Sequence, residues 1–169
     1  FRPAFNVQFA TTGETRLIVS AGVTNQGSDR GQMTPMHEDI KRRYGEQAKN
    51  YLVDGGFATK DEITAMERDG VEVYAPIHGE DRMRKKGTDP HARQPTDTDE
   101  MFEFRQRMAT DAAKTLYQER PSIAEFPNAV CRNHGLHQFR LRGQLKVLGE
   151  VLLHALTYNF GRQQSLGFI

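Results

Sequence analysis

The chain has 169 residues, enough for one average domain with a hydrophobic core of its own. Apolar residues make up 37% and charged residues 27%, a balance that excludes a disordered acidic tail, a collagen-like repeat and a membrane-embedded protein. The net charge is +1, but residues 126–169 carry five Lys and Arg against one Glu, a net of +4 that leaves −3 for residues 1–125. This basic end is a weak indication of a polyanionic partner.

The cysteine count and the first residues bear on the compartment. Cys131 is the only cysteine, so no intrachain disulfide can form and a reducing, cytoplasmic compartment is expected. The chain begins with Phe-Arg-Pro and has no basic-then-apolar leader, so we expect no secretion signal and an upstream piece outside this sequence.

The first 44 residues predict a hairpin followed by a helix. Residues 5–11 alternate apolar and polar side chains, and residues 16–24 are rich in aliphatic ones, with a turn around Gly13 between them. Apolar residues at helical spacing then run from Met33 to Tyr44. We expect two antiparallel strands and a helix with a narrow apolar face.

A strand, a helix and a second strand are predicted next. Residues 50–54 and 71–77 are short apolar runs. Between them Thr59–Glu62 matches a capping box, and Gly70 matches a helix stop. Short connections make this unit a parallel crossover, so we expect one mixed sheet of antiparallel and parallel strands.

The second half of the chain is predicted to be helical after a polar insertion. Residues 78–98 contain two apolar side chains and predict an exposed, mobile segment within a single domain spanning 1–169. Helical patterns start at Thr98, Ser122 and Gln144, and we expect the last helix to be largely buried. The apolar faces are Met101, Phe104, Met108 and Ala112 in the first of these helices and Leu145, Leu148, Leu152, Leu156 and Phe160 in the last.

Asp54 is the first candidate functional residue, because it stands where an apolar strand ends and a Gly-Gly turn begins. Open α/β sheets bind ligands at the carboxyl ends of their strands, and a carboxylate there can hold a metal ion. Asp also initiates turns through hydrogen bonds of its own side chain. For this residue alone the turn is the favoured interpretation.

Glu125 and Arg132 form a second candidate pair. At a spacing of seven residues they project from one face of a helix, so a carboxylate and a cation would face one substrate. Ser122-Ile-Ala-Glu125 also fits a capping box, in which the glutamate satisfies a backbone amide. The residues by themselves favour the cap.

A zinc site is a further alternative. Cys131, His134 and His137 have a Cys-x2-His-x2-His spacing. Structural zinc wants four ligands in familiar pairs, and no second Cys or His pair lies at a suitable distance in the sequence. This interpretation is therefore the least favoured.

A basic stretch lies near the C-terminus. The stretch contains Arg140, Arg142 and Lys146, has no acidic residue between them and follows the aromatic Phe139. Cations beside an aromatic ring suit phosphate contact together with base or sugar packing. A solvated positive face explains the pattern equally well.

Several motifs occur in one order along nearly the whole chain. They are Phe5-Asn-Val-Gln-Phe-Ala, Val23-Thr-Asn-Gln-Gly-Ser-Asp-Arg-Gly-Gln, Leu52-Val-Asp-Gly-Gly-Phe, Tyr117-x2-Arg120, Glu125-x6-Arg132, Gly135-x3-Phe139-x2-Arg142-Gly-x2-Lys146-Val, Glu150 and Tyr158-Asn-Phe. In this order the motifs resemble the C-terminal part of the catalytic domain of bacterial insertion-sequence transposases of the DDE class.

The resemblance implies an α/β, ribonuclease H-like mixed sheet flanked by helices, and three acidic residues that hold Mg²⁺ or Mn²⁺ for DNA cleavage and strand transfer. Asp54 matches the second acid and Glu125 the third. Arg132 stands where the family usually has Lys, and Tyr117 with Arg120 matches the tyrosine and arginine before the glutamate. The resemblance implies that Arg132 acts with the two acids in catalysis and that Tyr117, Arg120 and Arg132 bind DNA. The metal ligands expected within this chain are therefore Asp54 and Glu125.

The resemblance also implies what this chain lacks and what it binds. The family's first aspartate lies on a strand upstream of Phe5, so we expect the chain alone to lack that strand and to be inactive; Asp29 is expected to form a turn or cap. The partners implied are DNA, as element ends and target, and a homo-oligomer in the transposition complex, with nucleoid association when DNA is bound. The alternative is an inactive DNA-binding remnant that uses Arg140, Arg142 and Lys146.

Overall fold

The computed structural model describes residues 5–168, which form an α/β structure of short strands and helices. The elements in chain order are β1 (Asn6–Thr11), β2 (Ile18–Thr24), α1 (Met33–Tyr44), β3 (Asn50–Leu52), α2 (Lys60–Arg68), β4 (Glu72–Tyr74), α3 (Glu80–Lys85), α4 (Asp99–Ala109), α5 (Asp111–Tyr117), a π-helical turn (Pro121–Glu125), α6 (Phe126–Asn133) and α7 (Gln144–Ser165). The predicted α/β class is confirmed. None of the described helices combines the length and apolar character that crossing a bilayer requires.

The chain divides into two compact units. Among the described residues one unit, here called the terminal unit, comprises 5–28 and 121–168, and the other, the central unit, comprises 29–120. Each unit has a hydrophobic core of its own. The expectation of a single domain stays a prediction.

The terminal unit is built on the predicted hairpin. β1 and β2 pair antiparallel, with Val7 opposite Val23 and a register shift at Ala10/Thr11. Helix α7 packs on this hairpin through side chains spaced four, four and three residues apart, and these are buried. They are Val147, Val151, Ala155 and Tyr158.

The predicted buried face of α7 is wrong. Leu145 is 84% exposed, Leu156 65% and Phe160 61%, and Leu152 is also exposed, while Leu148 is partly buried. The helix carries apolar residues around most of its circumference, so periodicity alone offered two stripes. The valine and alanine stripe is the one buried, and its short side chains suit close packing against a strand.

Polar side chains of α7 fasten it to the hairpin. Asn159 accepts a hydrogen bond from the Ile18 amide at 2.8 Å and donates one to the Ile18 carbonyl at 2.7 Å, as a neighbouring strand would. The Tyr158 hydroxyl donates to the Arg16 carbonyl at 2.9 Å, and Gln144 donates to the Val23 carbonyl at 2.6 Å. The Tyr158-Asn159 part of the last motif therefore has a structural role.

The central unit contains the predicted parallel crossover. β3 pairs with β4 in parallel, with Tyr51 opposite Val73, and α2 connects them. Its core surrounds Phe104, which is fully buried, with Ile63 and Met66 from α2. The hydroxyl of Thr59 caps α2 by accepting from the Glu62 amide, as predicted.

Only one of the two hydrogen bonds of a capping box forms, because the Glu62 side chain does not accept from the Thr59 amide. Its buried carboxylate accepts hydrogen bonds from the backbone amides of Gly31, Met33 and Thr34 at 2.8–3.1 Å. Glu62 thus satisfies the open amides at the start of α1, a helix whose N-cap residue makes no side-chain cap bond. A long-range cap of this kind leaves no local sequence signal.

The predicted single mixed sheet is wrong for the described residues, which form two separate two-stranded sheets. The hairpin belongs to the core of the terminal unit, whereas β3 and β4 belong to that of the central unit. Both parallel strands are also shorter than predicted, with three residues each. Asp54 starts a turn at the end of β3, and Pro76 has no amide to extend β4.

The helix predicted from Thr98 to Tyr117 is two helices. Thr110 has an extended backbone, ends α4 and caps α5 by accepting from the Ala113 amide at 3.2 Å. The break shifts the helical phase, so Ala113 is buried and Ala112 is exposed. Met101, Phe104 and Met108 are buried as predicted.

Residues 78–98 are mostly exposed but contain defined anchors. They include α3. Near the end of the segment, the buried carboxylate of Asp97 accepts hydrogen bonds from Arg105 at 2.6 Å and from Lys60 at 2.8 Å. Arg105 also donates to the carbonyl of the buried Pro90 at 2.6 Å. The mobility of the segment stays a prediction.

Candidate active site

Asp54 lies two residues after the last residue of β3 in the central unit, at the carboxyl end of a parallel strand. Its Oδ1 accepts a hydrogen bond from the Gly56 amide at 2.8 Å, which is the turn-forming interaction favoured from sequence. Its Oδ2 accepts from Arg120 Nη2 at 3.3 Å. The side chain is 43% exposed, so the carboxylate remains accessible to a ligand.

Tyr117, the last residue of α5, and Arg120, three residues beyond it, converge on this strand end. The Tyr117 hydroxyl donates to the Val53 carbonyl at 3.1 Å, while Arg120 bonds the next residue, Asp54. These contacts join positions more than sixty residues apart, and they place both residues of the Tyr-x2-Arg motif against the Leu52-Val-Asp motif. Their role is to hold the strand end and orient the carboxylate.

Gly56 is closely approached by two carboxylates. A Cβ at this position would lie 3.0 Å from Asp54 Oδ1 and 3.4 Å from Asp29 Oδ2. A larger residue at this position would therefore crowd the Asp54 carboxylate and force it to shift. Asp29 itself opens a turn, since its carbonyl accepts from the Gln32 amide at 3.2 Å, as predicted from sequence.

Glu125 and Arg132 lie in the terminal unit. Glu125 is exposed, ends the π-helical turn and is the N-cap residue of α6 without a side-chain cap bond. The predicted capping box is wrong, because Ser122 lies inside the π turn rather than before a helix. Arg132 is exposed near the end of α6. The wider π turn interrupts a regular helix here, and such turns are frequent at functional sites.

The π turn is supported by its own unit. Thr11 donates its hydroxyl proton to the Ile123 carbonyl at 3.0 Å, and Asn128 donates to the Ala124 carbonyl at 2.9 Å. Pro127 stands in the first turn of α6 and is buried. The Phe-Pro-Asn run after Glu125 therefore forms the first turn of α6, directly after the π turn.

The basic stretch is exposed at Arg140, Arg142 and Lys146. Glu150, the single acid of residues 126–169, accepts from the backbone amides of Arg140 and Leu141 at 3.1–3.4 Å. This acid is therefore engaged by the backbone that precedes α7. The guanidinium and ammonium groups of the stretch face solvent.

The predicted zinc trio is not brought together within the described chain. Burial raises the pKa of the Cys131 thiol to about 11, so the thiolate that zinc requires is strongly disfavoured. His134 and His137 are exposed. No described group of potential ligands contains these three residues.

A group that sequence reasoning missed lies between α1 and the end of α2. His37, Glu38 and Asp69 offer atoms within 4.8 Å of one another. Asp69 Oδ2 already accepts from the buried His37 Nε2 at 2.6 Å and from Lys41 Nζ at 2.7 Å. Because an ammonium occupies the same oxygen, we interpret the group as an ion-pair network. Only the spacing of His37 and Lys41 by one helical turn hinted at it.

Comparison with known families identifies the class of protein. The family model described as Transposase DDE domain matches residues 1–160. The chain therefore belongs to the transposase DDE domain family, and its function is related to DNA transposition. The resemblance to DDE-class transposases inferred from the motifs is confirmed. No curated protein and no solved structure shows a significant match.

Membership carries general properties of the family. DDE transposases are ribonuclease H-like in general, act by nuclease and transferase chemistry, use divalent metal ions and bind DNA. In the described residues the fold is represented by helices and two short sheets.

Proposed function

We propose that this chain is the catalytic part of a bacterial insertion-sequence transposase that cleaves DNA at the element ends and joins the 3′ end to target DNA. The observation that supports it best is the convergence of Tyr117 and Arg120 on the Asp54 strand end. Asp54 and Glu125 are the proposed metal ligands within the chain. The family's first acid has no counterpart among the matched motifs.

The proposed ligands are of the chemical type that Mg²⁺ and Mn²⁺ bind. Both are carboxylates, and these ions prefer oxygen ligands. Asp54 accepts one hydrogen bond on each oxygen in the described chain, whereas a carboxylate offers about four lone-pair sites. When bound in pairs, such ions activate water or a 3′-hydroxyl and stabilise the leaving oxygen.

The chain's own residues supply position and charge. Arg120 holds one oxygen of Asp54, and Tyr117 fixes the backbone just before it. Arg132 is proposed to bind a DNA phosphate through charge-assisted hydrogen bonds. Arg140, Arg142 and Lys146 are proposed to add phosphate contacts.

The first prediction concerns cleavage. The full-length product of the gene is expected to cut DNA carrying the element ends only when Mg²⁺ or Mn²⁺ is added, as read from product lengths on a denaturing gel. Asp54→Asn and Glu125→Gln should each abolish cleavage, because each removes a charged metal ligand. Glu46→Gln alters an exposed acid outside the site and serves as the matched control.

Cleavage that survives both substitutions would overturn the proposed site.

The second candidate function, a DNA-binding remnant, is favoured by the exposed basic stretch. It predicts DNA binding without any cleavage under all metal conditions. The same preparation tests both functions when binding is measured by filter retention beside the cleavage assay.

A further inference from the structure

A cavity of about 490 Å³ lies within the central unit beside the Asp54 turn. Its lining includes Gly55, which follows Asp54, and Pro76 and His78, which follow β4. Because β3 and β4 are parallel, these residues lie at the carboxyl ends of both strands, where α/β sheets bind ligands. The volume falls in the roughly 300–1,000 Å³ range of small-molecule sites.

A charged cluster gives this cavity a positive lining. Lys60 and Arg105 both line it, and both hydrogen-bond the buried Asp97, at 2.8 and 2.6 Å. Burial raises the pKa of Asp97, but hydrogen bonds from Lys60, the Gln94 amide and Arg105 outweigh it, so that the pKa lies below its usual range. Two cations therefore share one carboxylate, and Arg30 adds a further cation to the lining. None of the described lining residues is acidic.

Lys60 is suited to contact an anion in the cavity. Its ammonium donates to Thr96 Oγ1 and Asp97 Oδ1, both at 2.8 Å. Within the described chain these bonds use two of the three N–H donors of the ammonium. The side chain is 46% exposed, so the third donor can be reached from solvent.

The rest of the lining is apolar. Ile63, Met101 and Phe104 belong to the core of the central unit and are buried behind this lining. The apolar side chains that a ligand can reach are the half-buried Met83 of α3 and the exposed Pro76 and Pro95. A phosphate ion by itself gains nothing from these side chains. A nucleotide does, because its base can pack against aliphatic and thioether groups while its phosphate meets the cations.

We propose that this cavity binds one unpaired nucleotide of a DNA strand, with the phosphate at Lys60 and Arg30 and the base against Met83. The inference rests on the proposed function, because it takes DNA as the polymer. A free nucleotide carries the same chemistry, and the experiment separates the two sources.

The second prediction tests this cavity by binding alone. The full chain is titrated calorimetrically with dAMP, with deoxyadenosine, with inorganic phosphate and with a short single-stranded oligo(dA). We expect dAMP to bind, deoxyadenosine and phosphate to bind at least tenfold more weakly, and the oligonucleotide to displace dAMP. Lys60→Gln should weaken dAMP binding roughly tenfold by removing a charge-assisted hydrogen bond.

Two more variants keep the test independent of folding. Met83→Trp fills the cavity from its half-buried side and should prevent dAMP binding without touching the buried ion pairs. Lys85→Gln removes a neighbouring exposed lysine outside the lining and should bind dAMP like the unaltered chain. Thermal unfolding curves identify any variant whose loss of binding comes from misfolding.

Three results would overturn the proposal: no dAMP binding at millimolar concentration, unchanged binding in both Lys60→Gln and Met83→Trp, or failure of the oligonucleotide to displace dAMP. The last would assign the cavity to free nucleotides. Failure of the two proposals is distinguishable, because Asp54→Asn should lose cleavage yet keep dAMP binding. Nucleotide binding without cleavage contradicts the proposed function, and cleavage without nucleotide binding contradicts the cavity.

Discussion

At the scale of single residues, Asp54 shows that a turn-forming carboxylate and a candidate metal ligand can be the same group. Its two oxygens accept from the Gly56 amide and from Arg120, which fixes the orientation of the side chain. A carboxylate so held retains lone pairs for a ligand. The sequence left open whether Asp54 forms a turn or binds a metal ion, and these two interpretations are therefore compatible. The turn holds the carboxylate in one orientation, in which it is proposed to bind the ion.

The third prediction concerns the Asp69 network and pH. Hydrogen bonds from Lys41 and then His37 hold the pKa of Asp69 below its usual range, and the bond to Asp69 raises the pKa of Lys41. The stability that Asp69 contributes is present above its unfolded-state pKa of about 3.9 and is lost as the pH falls through the lower folded-state pKa. Asp69→Asn should therefore destabilise the chain at neutral pH.

The measurement is the urea midpoint from about pH 7 down to about pH 3. The difference between the unaltered chain and Asp69→Asn should shrink at the acidic end, where the native carboxyl also becomes protonated. Glu46→Gln changes an exposed acid and should follow the unaltered chain. A difference that is constant across this range would contradict the role of the ionised carboxylate.

At the scale of elements, long-range polar contacts join helices to other elements in addition to the packing of their apolar faces. Glu62 of α2 caps α1 through three backbone amides, and Asn159 of α7 bonds both backbone groups of Ile18 in β2. Buried or half-buried backbone groups are costly when unpaired, so these side chains determine which elements pack together.

The fourth prediction follows for α7. Asn159→Ala leaves the amide and carbonyl of Ile18 without these partners and should lower the free energy of unfolding by about 2–4 kcal/mol. Chemical denaturation measures the change, with Asn25→Ala at an exposed loop position as the control. A loss below about 0.5 kcal/mol would show that water replaces the side chain at the strand edge.

At the scale of the whole molecule, charge is distributed unevenly along a chain that is nearly neutral overall. Residues 126–169 carry a net +4, and the one acid among them, Glu150, binds backbone amides. Arg140, Arg142 and Lys146 are exposed. The near-zero total therefore conceals a basic surface segment in the terminal unit and a positively lined cavity in the central unit.

The fifth prediction is a salt dependence of DNA binding. If these three cations contact phosphates, log K falls with log salt concentration by nearly one unit per contact on duplex DNA. Replacing Arg140, Arg142 and Lys146 together by Gln should reduce the slope by about three units. Fluorescence anisotropy with labelled duplex provides the measurement. Replacing Arg82, Lys85 and Lys86 gives a control of equal charge in α3 and the residue after it, and an equal loss of slope there would remove the special role of the basic stretch.

The sequence could predict the features that depend on interactions between residues close in the chain, and it could not predict those that depend on distant residues. The hairpin, α1, the start and stop of α2 and the parallel crossover were predictable, because period, caps and turn residues act within a few positions. The break at Thr110, the π turn that ends at Glu125 and the exposed leucines of α7 were not. Each depends on which of several compatible local structures the surrounding core accepts.

By itself the sequence determined the family, through the order of its motifs, and the candidate chemistry, through carboxylates and cations at set positions. Only the tertiary structure decided that Tyr117 and Arg120 meet the Asp54 strand end, that two cores form, and that Lys60 and Arg105 share Asp97 beside a cavity. The physical reason is that motifs record residue types along the chain. Contacts between distant residues are selected by packing and hydrogen-bond satisfaction, which no local pattern contains.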